Sequence, residues 1–313
     1  MVKVIILNDT RRDRGHIGCC GVLHNLEIIC IQKKWQIIFE DANLREVDNN
    51  FIEQVKNSDV VLLNGEGTIH HNKGYIWFKK AEISKSLGKK VFLINTTWQA
   101  NDNHKKFLEV FDAISVRESF SLKQIVADGA KNNVFNIPDL AFFSFPFLNK
   151  NFEKMNINDL AIIDSAINTL TCKLKKISFE NKVPLFFLYE KAYNHHSKTL
   201  SYLWRHMIQG QTFLHLDSAE KISWFCRLIS GRFHADCYAM MYGVPTLALY
   251  SNSWKVEGLM KDADLYDYYV ADNQELFDKI NMFLGTKHKE YKEKSAEYAN
   301  NAHKNIKSFY AEL

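Results

Sequence analysis

The sequence predicts an α/β protein made of two parallel-sheet domains that face a cleft. Short apolar runs typical of buried strands alternate with helical segments over residues 2–137, and the alternation resumes less regularly near residue 160. Alternation of this kind implies a parallel sheet with helices on both faces. A polar stretch rich in Lys and Asn, residues 149–159, breaks the rhythm. We therefore expect two Rossmann-like domains, at 1–150 and 151–313.

In the first domain, apolar runs bounded by polar turn residues predict strands, and the segments between them predict helices. The predicted strands are 2–7, 35–39, 59–63, 90–95, 113–116 and 134–137. The predicted helices are 22–31, 48–57, 75–87, 107–111 and 120–128. Parallel strands joined by helices place the loops after their carboxyl ends along one edge of the sheet, where ligands bind. The loops after the strands are therefore the expected positions of functional groups.

The second domain shows the same pattern less cleanly. The predicted strands are 160–163, 183–189, 212–216, 224–229 and 246–250. The predicted helices are 164–176, 197–208, one beginning near 218, one from 233 or 234 to 242, 273–284 and 290–311. The last helix is long and charged, and it is a candidate to pack back on the first domain.

Composition and charge narrow the class of protein. The 313 residues are 46% hydrophobic and 24% charged, as in globular proteins with sizeable cores. The formal net charge of +4 is mild and does not predict a nucleic-acid partner, which usually binds a clustered basic face. The six cysteines lack paired C-x-x-C spacing, so we interpret them as reduced core residues. We predict neither a metal site nor a cofactor.

The sequence also bears on location. No apolar segment reaches the ~20 residues of a membrane span. A strand-like run begins at residue 2, so we predict no signal peptide. We expect a cytoplasmic protein. Peripheral contact with the inner face of the membrane is an open option, because exposed aromatics and a basic C-terminal helix would suit a lipid-linked acceptor.

The loop after the first predicted strand, residues 8–21, combines arginines, glycines and His16. In a doubly wound sheet this position commonly contacts a ligand. Its glycines do not form a G-x-G-x-x-G pattern, so we predict no nicotinamide site. His16 is a candidate ligand contact, and a solvated, arginine-rich loop is the alternative.

The loop after the third predicted strand is the second informative segment. Gly65 and Gly67 would let the backbone approach a ligand closely. Glu66, Thr68 and His70 supply acid–base and hydrogen-bonding groups. A structural role is credible for any one of these residues, but the loop as a whole, at the end of a parallel strand, indicates a ligand site.

Two further strand ends of the first domain carry charged groups. Arg117 follows the strand 113–116 and stands next to a predicted helix start. Asp139 follows the strand 134–137. The carboxylate is a candidate acid or base, or an anchor for a pocket arginine.

In the second domain, residues 230–236 form a predicted strand–turn–helix junction. Gly231 would permit a sharp turn, and Arg232 and His234 stand at the helix N-terminus. Helix N-termini attract phosphate and carboxylate, and an Arg adds donors suited to the same anions. A His there can exchange a proton near neutral pH. The structural alternative is that Arg232 pairs with a carboxylate and His234 caps the turn.

The segment after the strand 246–250 offers a second candidate anion site. Ser251 and Asn252 can cap a helix, and Lys255 lies in its first turn. A Lys at this position opposes the helix dipole, so a bound anion would explain it. An exposed, solvated lysine is the alternative. In facing domains these groups would converge with those of the first domain in the cleft.

Taken together, the motifs resemble the polysaccharide pyruvyl transferase family over about residues 2–270. The resembling segments are 64–70 (Asn-Gly-Glu-Gly-Thr-Ile-His), 117–119 (Arg-Glu-Ser), 138–139 (Pro-Asp), 231–235 (Gly-Arg-Phe-His-Ala), 243–245 (Gly-Val-Pro), Lys255 and 258–259 (Gly-Leu). The Arg-x-His-Ala block with Gly-Val-Pro is the most specific part. The resemblance implies a fold similar to that of two-domain GT-B glycosyltransferases.

The resemblance also implies an activity. In that family phosphoenolpyruvate (PEP) donates a pyruvyl unit, which becomes a ketal on two hydroxyls of a sugar of a cell-surface polysaccharide or its lipid-linked precursor. Arg232 and Arg117 would then hold the donor anions with support from Lys255, and His234 would be the acid. His70, Glu66 or Asp139 would be the base. Many members carry an Asn-x-Gly-Asp loop after the first strand, whereas residues 14–19 here are Arg-Gly-His-Ile-Gly-Cys.

Two other functions stay open from the sequence. A GT-B glycosyltransferase could hold the phosphates of a nucleotide sugar, such as a CMP-linked one, with the same groups. A non-catalytic protein could bind a sugar or an anion at the same cleft. We rank pyruvyl transfer first, sugar transfer second and binding alone third.

Overall fold

The computed structural model contains two parallel β-sheets. It describes residues 1–13, 16–42, 46–131, 133–148, 158–188, 213–216 and 218–313. Within these ranges each sheet has six strands, in the orders β2-β1-β3-β4-β5-β6 and β12-β11-β10-β7-β8-β9. The predicted class, α/β with two parallel-sheet domains, is confirmed.

The first sheet and its helices follow the predicted alternation. Its strands are β1 (Lys3–Leu7), β2 (Gln36–Asp41), β3 (Val60–Glu66), β4 (Lys90–Thr96), β5 (Ala113–Val116) and β6 (Val134–Asn136). Its helices are α1 (Ile17–Gln32), α2 (Asn49–Lys56), α3 (Tyr75–Ser86) and α4 (Ser119–Ala127). Short 3₁₀ helices occupy Thr10–Asp13, Asp102–Val110 and Leu140–Phe147. The strand β3, buried along its whole length, ends in the second loop singled out by the sequence.

The second sheet combines two long strands, β7 and β10, with four short ones. Its strands are β7 (Asn158–Ser165), β8 (Leu185–Phe187), β9 (Phe213–His215), β10 (Phe225–Gly231), β11 (Thr246–Leu249) and β12 (Tyr269–Val270). The helices are α5 (Asn168–Asn181), α6 (Phe233–Tyr242), α7 (Lys255–Asp262), α8 (Leu276–Gly285) and α9 (Lys289–Glu312). Two 3₁₀ helices lie at Ala219–Trp224 and Tyr266–Tyr268.

Four helix predictions differ most from the structure. The helix predicted at 22–31 begins at Ile17, because His16 caps it and the loop after β1 is correspondingly shorter. The helix predicted at 164–176 begins only at Asn168, because β7 continues to Ser165 in register with β10. The segment predicted at 107–111 is part of the longer 3₁₀ helix Asp102–Val110, in which the buried His104 and Phe107 are three residues apart, matching three residues per turn. The helix predicted near 218 is likewise a 3₁₀ helix. The helix predicted at 197–208, and most of the predicted domain boundary at 149–159, lie outside the described residues.

A shared hydrophobic core joins the two sheets. One continuous cluster contains Val4 and Ile6 of the first sheet together with Ala161 and Leu228 of the second. Helix α9 contributes to the same cluster through apolar residues three or four positions apart, and it also reaches elements of the first half of the chain. His303 contacts the carbonyl of Phe143 at 2.8 Å. The sheets are therefore held together by packed apolar surface as well as by the cleft residues.

Among the described helices, none combines the length and the apolar character needed to cross a bilayer.

Candidate functional site

The site is assembled where the carboxyl ends of β3 and β5 meet the N-terminus of α6. Helix α6 follows β10 directly, and Arg232 is its N-cap residue. His234, in the first turn of α6, lies among side chains of the first sheet and is 6% exposed. The site therefore needs both halves of the chain.

His234 points its Nε2 atom between two buried carboxylates. Nε2 is 3.8 Å from Oε1 of Glu66 and 3.7 Å from Oδ1 of Asp139. These separations exceed hydrogen-bond length, and Nε2 has no hydrogen-bond partner among the described residues. Burial lowers the pKa of His234, and the attraction of Asp139 and Glu66 opposes this effect without cancelling it. The imidazole thus gives up its proton more readily than a free histidine, and it faces the two carboxylates.

Glu66 is held in a strained position at the end of β3. Its φ angle is +34°, an uncommon value for a residue with a side chain. The Thr10 hydroxyl donates a hydrogen bond to Oε2 of Glu66, and Asn64 Nδ2 donates to the same oxygen at 3.3 Å. Asn8 Nδ2 also donates to Oγ1 of Thr68 at 2.6 Å. The loops after β1 and β3 are thus bonded to each other, and they fix the carboxylate that faces His234.

Arg117 and Asp139 form a buried ion pair below His234. Nη1 of Arg117 is 2.8 Å from Oδ2 of Asp139, and both side chains are almost fully buried. Nε of Arg117 donates to Thr97 Oγ1 at 2.8 Å, and the guanidinium lies 4.3 Å from the centre of the Phe233 ring. Burial acts to raise the pKa of Asp139, but the combined attraction of His234 and Arg117 and the hydrogen bonds lower it below its usual value. Asp139 is therefore a carboxylate, as an anchor for a pocket arginine requires.

Arg232 has a carboxylate partner that the sequence did not reveal. Its Nε donates to Oδ1 of Asp164 at 3.0 Å, and Nη2 contacts Oδ2 of the same carboxylate. Asp164, at the end of β7, is buried, and its burial raises its pKa against the attraction of Arg232. The ion pair between Arg232 and a carboxylate, which the sequence left open as a structural alternative to an anion site, is thus present. Asp164 directly follows the apolar run 160–163, which is the signal that could have indicated it.

Lys255 adds a third cation beside the two arginines. A β-carbon placed on Gly67 would lie 3.6 Å from Lys255 Nζ and 3.8 Å from Arg117 Nη2. Burial, followed by repulsion from Arg117 and Arg232, lowers the pKa of Lys255 to about 7. A lysine pKa depressed by burial and by neighbouring cations is common at functional sites. Gly67 therefore lies beside two cationic side chains, Lys255 and Arg117.

His16 and His70 lie near this cluster, and each ring has a close polar neighbour within its own segment. His16 caps α1, its Nδ1 accepting from the backbone N–H of Cys19 at 3.4 Å, and its ring centre is 5.7 Å from that of His234. Burial and the charges of His234 and Arg232 lower its pKa well below the usual range. Nδ1 of His70 lies 2.6 Å from Nδ1 of His71, and burial and Lys255 lower the pKa of His70 to about 3. A histidine with so low a pKa is a weak base for proton abstraction.

The remaining predicted contacts are less central. Gly65 and Gly231 have steric roles between strands: a β-carbon at Gly65 would lie 2.3 Å from Thr96 Cβ, and one at Gly231 would lie 2.5 Å from Ser165 Cβ. Glycine at position 231 therefore allows β10 to end close against β7, and the sharp turn that the sequence predicted does not explain it. Asn252 accepts a hydrogen bond from Lys255 Nζ at 3.2 Å, and Ser251 donates to Asn252 at 3.4 Å.

Helix α7 carries Lys255 to the cluster because it docks on the first sheet. The backbone N–H of Trp254 donates to Gln99 Oε1 at 3.0 Å, and that of Ser119 donates to Asp262 Oδ2 at 2.8 Å. Gly258 lies directly on Glu118, where a β-carbon would be 2.8 Å from Oε2. Close packing at both ends of α7 fixes Lys255 relative to Arg117. In the described part of the chain, no group of three His, Cys, Asp or Glu residues is arranged to hold a metal ion.

Two parallel sheets that share a core, with charged groups between them, have the architecture of the GT-B-like fold. In fold the chain is similar to S. aureus MnaA in complex with UDP, with a TM-score of 0.64 at 12% identity over 95% of this chain and 91% of that one. It is also similar to Anabaena HepE in complex with UDP and glucose, with a TM-score of 0.62 at 10% identity and 100% of both chains covered. At these identities the likeness shows the fold alone.

The family is shown by the sequence itself. The profile of the polysaccharide pyruvyl transferase family matches residues 21–253, and the chain belongs to this family. Among curated proteins, none matches the chain. The protein is therefore a transferase, as the motifs around Glu66, Arg117 and His234 led us to expect.

Proposed function

We propose that this protein transfers a pyruvyl group from PEP to two hydroxyls of a sugar, in a cell-surface polysaccharide or its lipid-linked precursor, and releases phosphate. The observation that carries the proposal is the convergence of Arg117, Arg232 and Lys255 next to a buried His234. PEP is small and carries a phosphate and a carboxylate. A cluster of three cations matches that charge, whereas a nucleotide sugar would also need room and partners for a base.

Lys255 is the cation of the three that has no ion pair among the described residues. Each arginine already faces one carboxylate, Asp139 or Asp164, which holds it in place. Burial, followed by repulsion from Arg117 and Arg232, lowers the pKa of Lys255 to about 7, so a nearby negative charge would favour its ammonium form. A donor anion would supply that charge. The same anion would raise the pKa of His234 and so favour its protonated form.

The proton transfers of ketal formation can be assigned to groups in this cluster. His234 gives a proton to the PEP methylene carbon, which leaves a cationic centre at the neighbouring carbon. A sugar hydroxyl adds to that centre and loses its proton to Glu66 or Asp139. A second hydroxyl then displaces phosphate, and its proton leaves with the phosphate. The carboxylate then returns its proton to the neighbouring His234, so the enzyme is restored and the products are one ketal and one phosphate.

Ligand-induced stabilisation tests the donor. PEP should raise the melting temperature, because a ligand that binds only the folded state adds about 2.7 kcal/mol of stability at 100 times its Kd. Arg232→Ala should abolish the shift. Arg227→Ala is the matched control, since Arg227 lies on β10, five residues before Arg232, and within the described residues donates a hydrogen bond to the Leu284 carbonyl at 2.9 Å. Inorganic phosphate, CMP, UDP and GDP are compared at equal concentration. Stabilisation by one nucleotide, with none by PEP, would overturn the proposal in favour of glycosyl transfer.

The pKa of Lys255 predicts how donor affinity depends on pH. A bound anion raises this pKa above about 7, so binding above pH 7 takes up a proton. The Kd for PEP should therefore rise by up to about tenfold per pH unit between about pH 7 and the pKa of the complex. Lys255→Met should bind more weakly at low pH and lose this slope. Lys261→Met, on the exposed side of α7, is the control. Calorimetric titrations in buffers of different ionisation heat measure the proton uptake, and its absence in wild type would contradict the prediction.

A further inference from the structure

Helices α1 and α6 contact each other through two glycines and two ring side chains. Gly18 and Gly21 are three residues apart on α1, and His234 and Tyr238 are four apart on α6, so each pair shares one helix face. Both rings are buried. The two helices follow different sheets, β1 and β10. This contact is therefore where one half of the chain meets the side chain that the other half brings to the site.

The imidazole of His234 lies directly on the backbone of Gly18. A β-carbon on Gly18 would be 2.1 Å from Nδ1, 2.2 Å from Cγ and 2.5 Å from Cβ of His234. Non-bonded carbon atoms approach only to about 3.5–4.0 Å. The clash involves Cβ of His234 as well as its ring atoms, so rotating the ring about χ2 cannot relieve it. His234 and any residue larger than glycine at position 18 cannot both keep these places.

We propose that Gly18 is a positioning residue for His234. The turn of α1 at Gly18 forms one wall of the slot that holds the imidazole, and Nε2 thereby faces both Glu66 and Asp139 at nearly equal distances. This turn of α1 is held in place, since Nδ1 of His16 accepts a hydrogen bond from the backbone N–H of Cys19. The inference rests on the proposed function only in taking His234 as the acid.

Gly21 provides a matched control one turn further along α1. A β-carbon there would lie 2.2 Å from the Tyr238 hydroxyl but 3.5 Å from the ring carbon that carries it. Gly21→Ala combined with Tyr238→Phe removes that single close atom. The same helix surface is then altered by the same methyl group without any contact to His234.

A double-mutant cycle tests the contact without requiring activity. Gly18→Ala should lower the melting temperature by several degrees in the wild-type background and much less in a His234→Ala background, because the clashing ring is gone. Gly21→Ala with Tyr238→Phe should show no such coupling to His234→Ala. If the loss from Gly18→Ala is the same in both backgrounds, the inference is overturned. A Gly18→Ala chain that fails to fold until His234→Ala is added would support it.

Activity and titration then test the positioning role. With PEP and a panel of simple glycosides as acceptors, Gly18→Ala should lower kcat about 100-fold and change the KM for PEP little, as expected for a group misplaced by about 1 Å. The NMR titration of the His234 ring should move toward its ordinary pKa of about 6.5 as the ring leaves its buried slot. An unchanged titration together with unchanged kcat would overturn the inference. If wild type shows no PEP turnover, the proposed function fails, while the cycle and the titration still decide the role of Gly18.

Discussion

His234→Asn is expected to lower kcat for phosphate release from PEP by about 10²–10⁴-fold, the range that a positioned proton donor contributes. Asparagine keeps a polar side chain in the slot beside Gly18 but cannot exchange a proton near neutral pH. Since the donor anions are assigned to Arg117, Arg232 and Lys255, the stabilisation by PEP should persist. The assay combines PEP with a panel of simple glycosides and detects phosphate and the ketal product.

The control for this variant is His24→Asn, because His24 lies on α1 with a side chain 69% exposed. It should retain wild-type kcat. Full activity of His234→Asn would remove His234 from the role of acid. Loss of PEP binding together with activity would indicate that the imidazole acts mainly as part of the anion pocket, which would also contradict the assignment.

Arg117→Met should have the largest effect on folding. It leaves the Asp139 carboxylate buried, 1% exposed, without its guanidinium partner. Breaking a buried pair in this way typically costs about 3–5 kcal/mol of the free energy of unfolding. Arg117→Met with Asp139→Asn should recover most of that stability, because no unpaired charge remains. Neither variant should be stabilised by PEP, since both lack the cation assigned to the donor.

The pH dependence of stability separates this cause from a general packing defect. In wild type the lowered pKa of Asp139 contributes stability above the unfolded value of 3.8, and this contribution is lost as pH falls through the folded pKa. In Arg117→Met the carboxyl loses that support, so its folded pKa rises and the destabilisation should shrink as pH falls from 7 toward 4. Urea unfolding at several pH values measures it. A destabilisation that is constant with pH would point to lost packing against Phe233 instead.

The order of loops along the chain could be predicted because strand periodicity and glycine-rich turns are local signals. The loop holding Glu66, the strand end at Arg117 and the helix start at His234 were each recognisable within about ten residues of sequence. Since parallel strands present their carboxyl ends at one sheet edge, their approximate convergence followed. The assignment of these residues to donor and proton transfer stays a prediction that the experiments above address.

Contacts between distant segments were not predictable in the same way. Arg232 pairs with Asp164, 68 residues earlier, which the sequence did not indicate as its partner. Asp139, a candidate anchor for a pocket arginine, pairs with Arg117. The low pKa of His70 depends on burial and on Lys255, a residue of the other half of the chain. The hydrophobic periodicity of a single segment does not indicate which distant residue it will contact.

By itself the sequence determined the class of fold, the family and the segments that carry charged and imidazole groups, because these depend on patterns within single strands, turns and helices. The tertiary structure decided which carboxylate holds which cation, and it placed His234 on the bare backbone of Gly18. The physical reason is that pKa values and steric fit depend on burial and on neighbours a few ångströms away. In this protein those neighbours come from opposite sheets, and only folding brings them together.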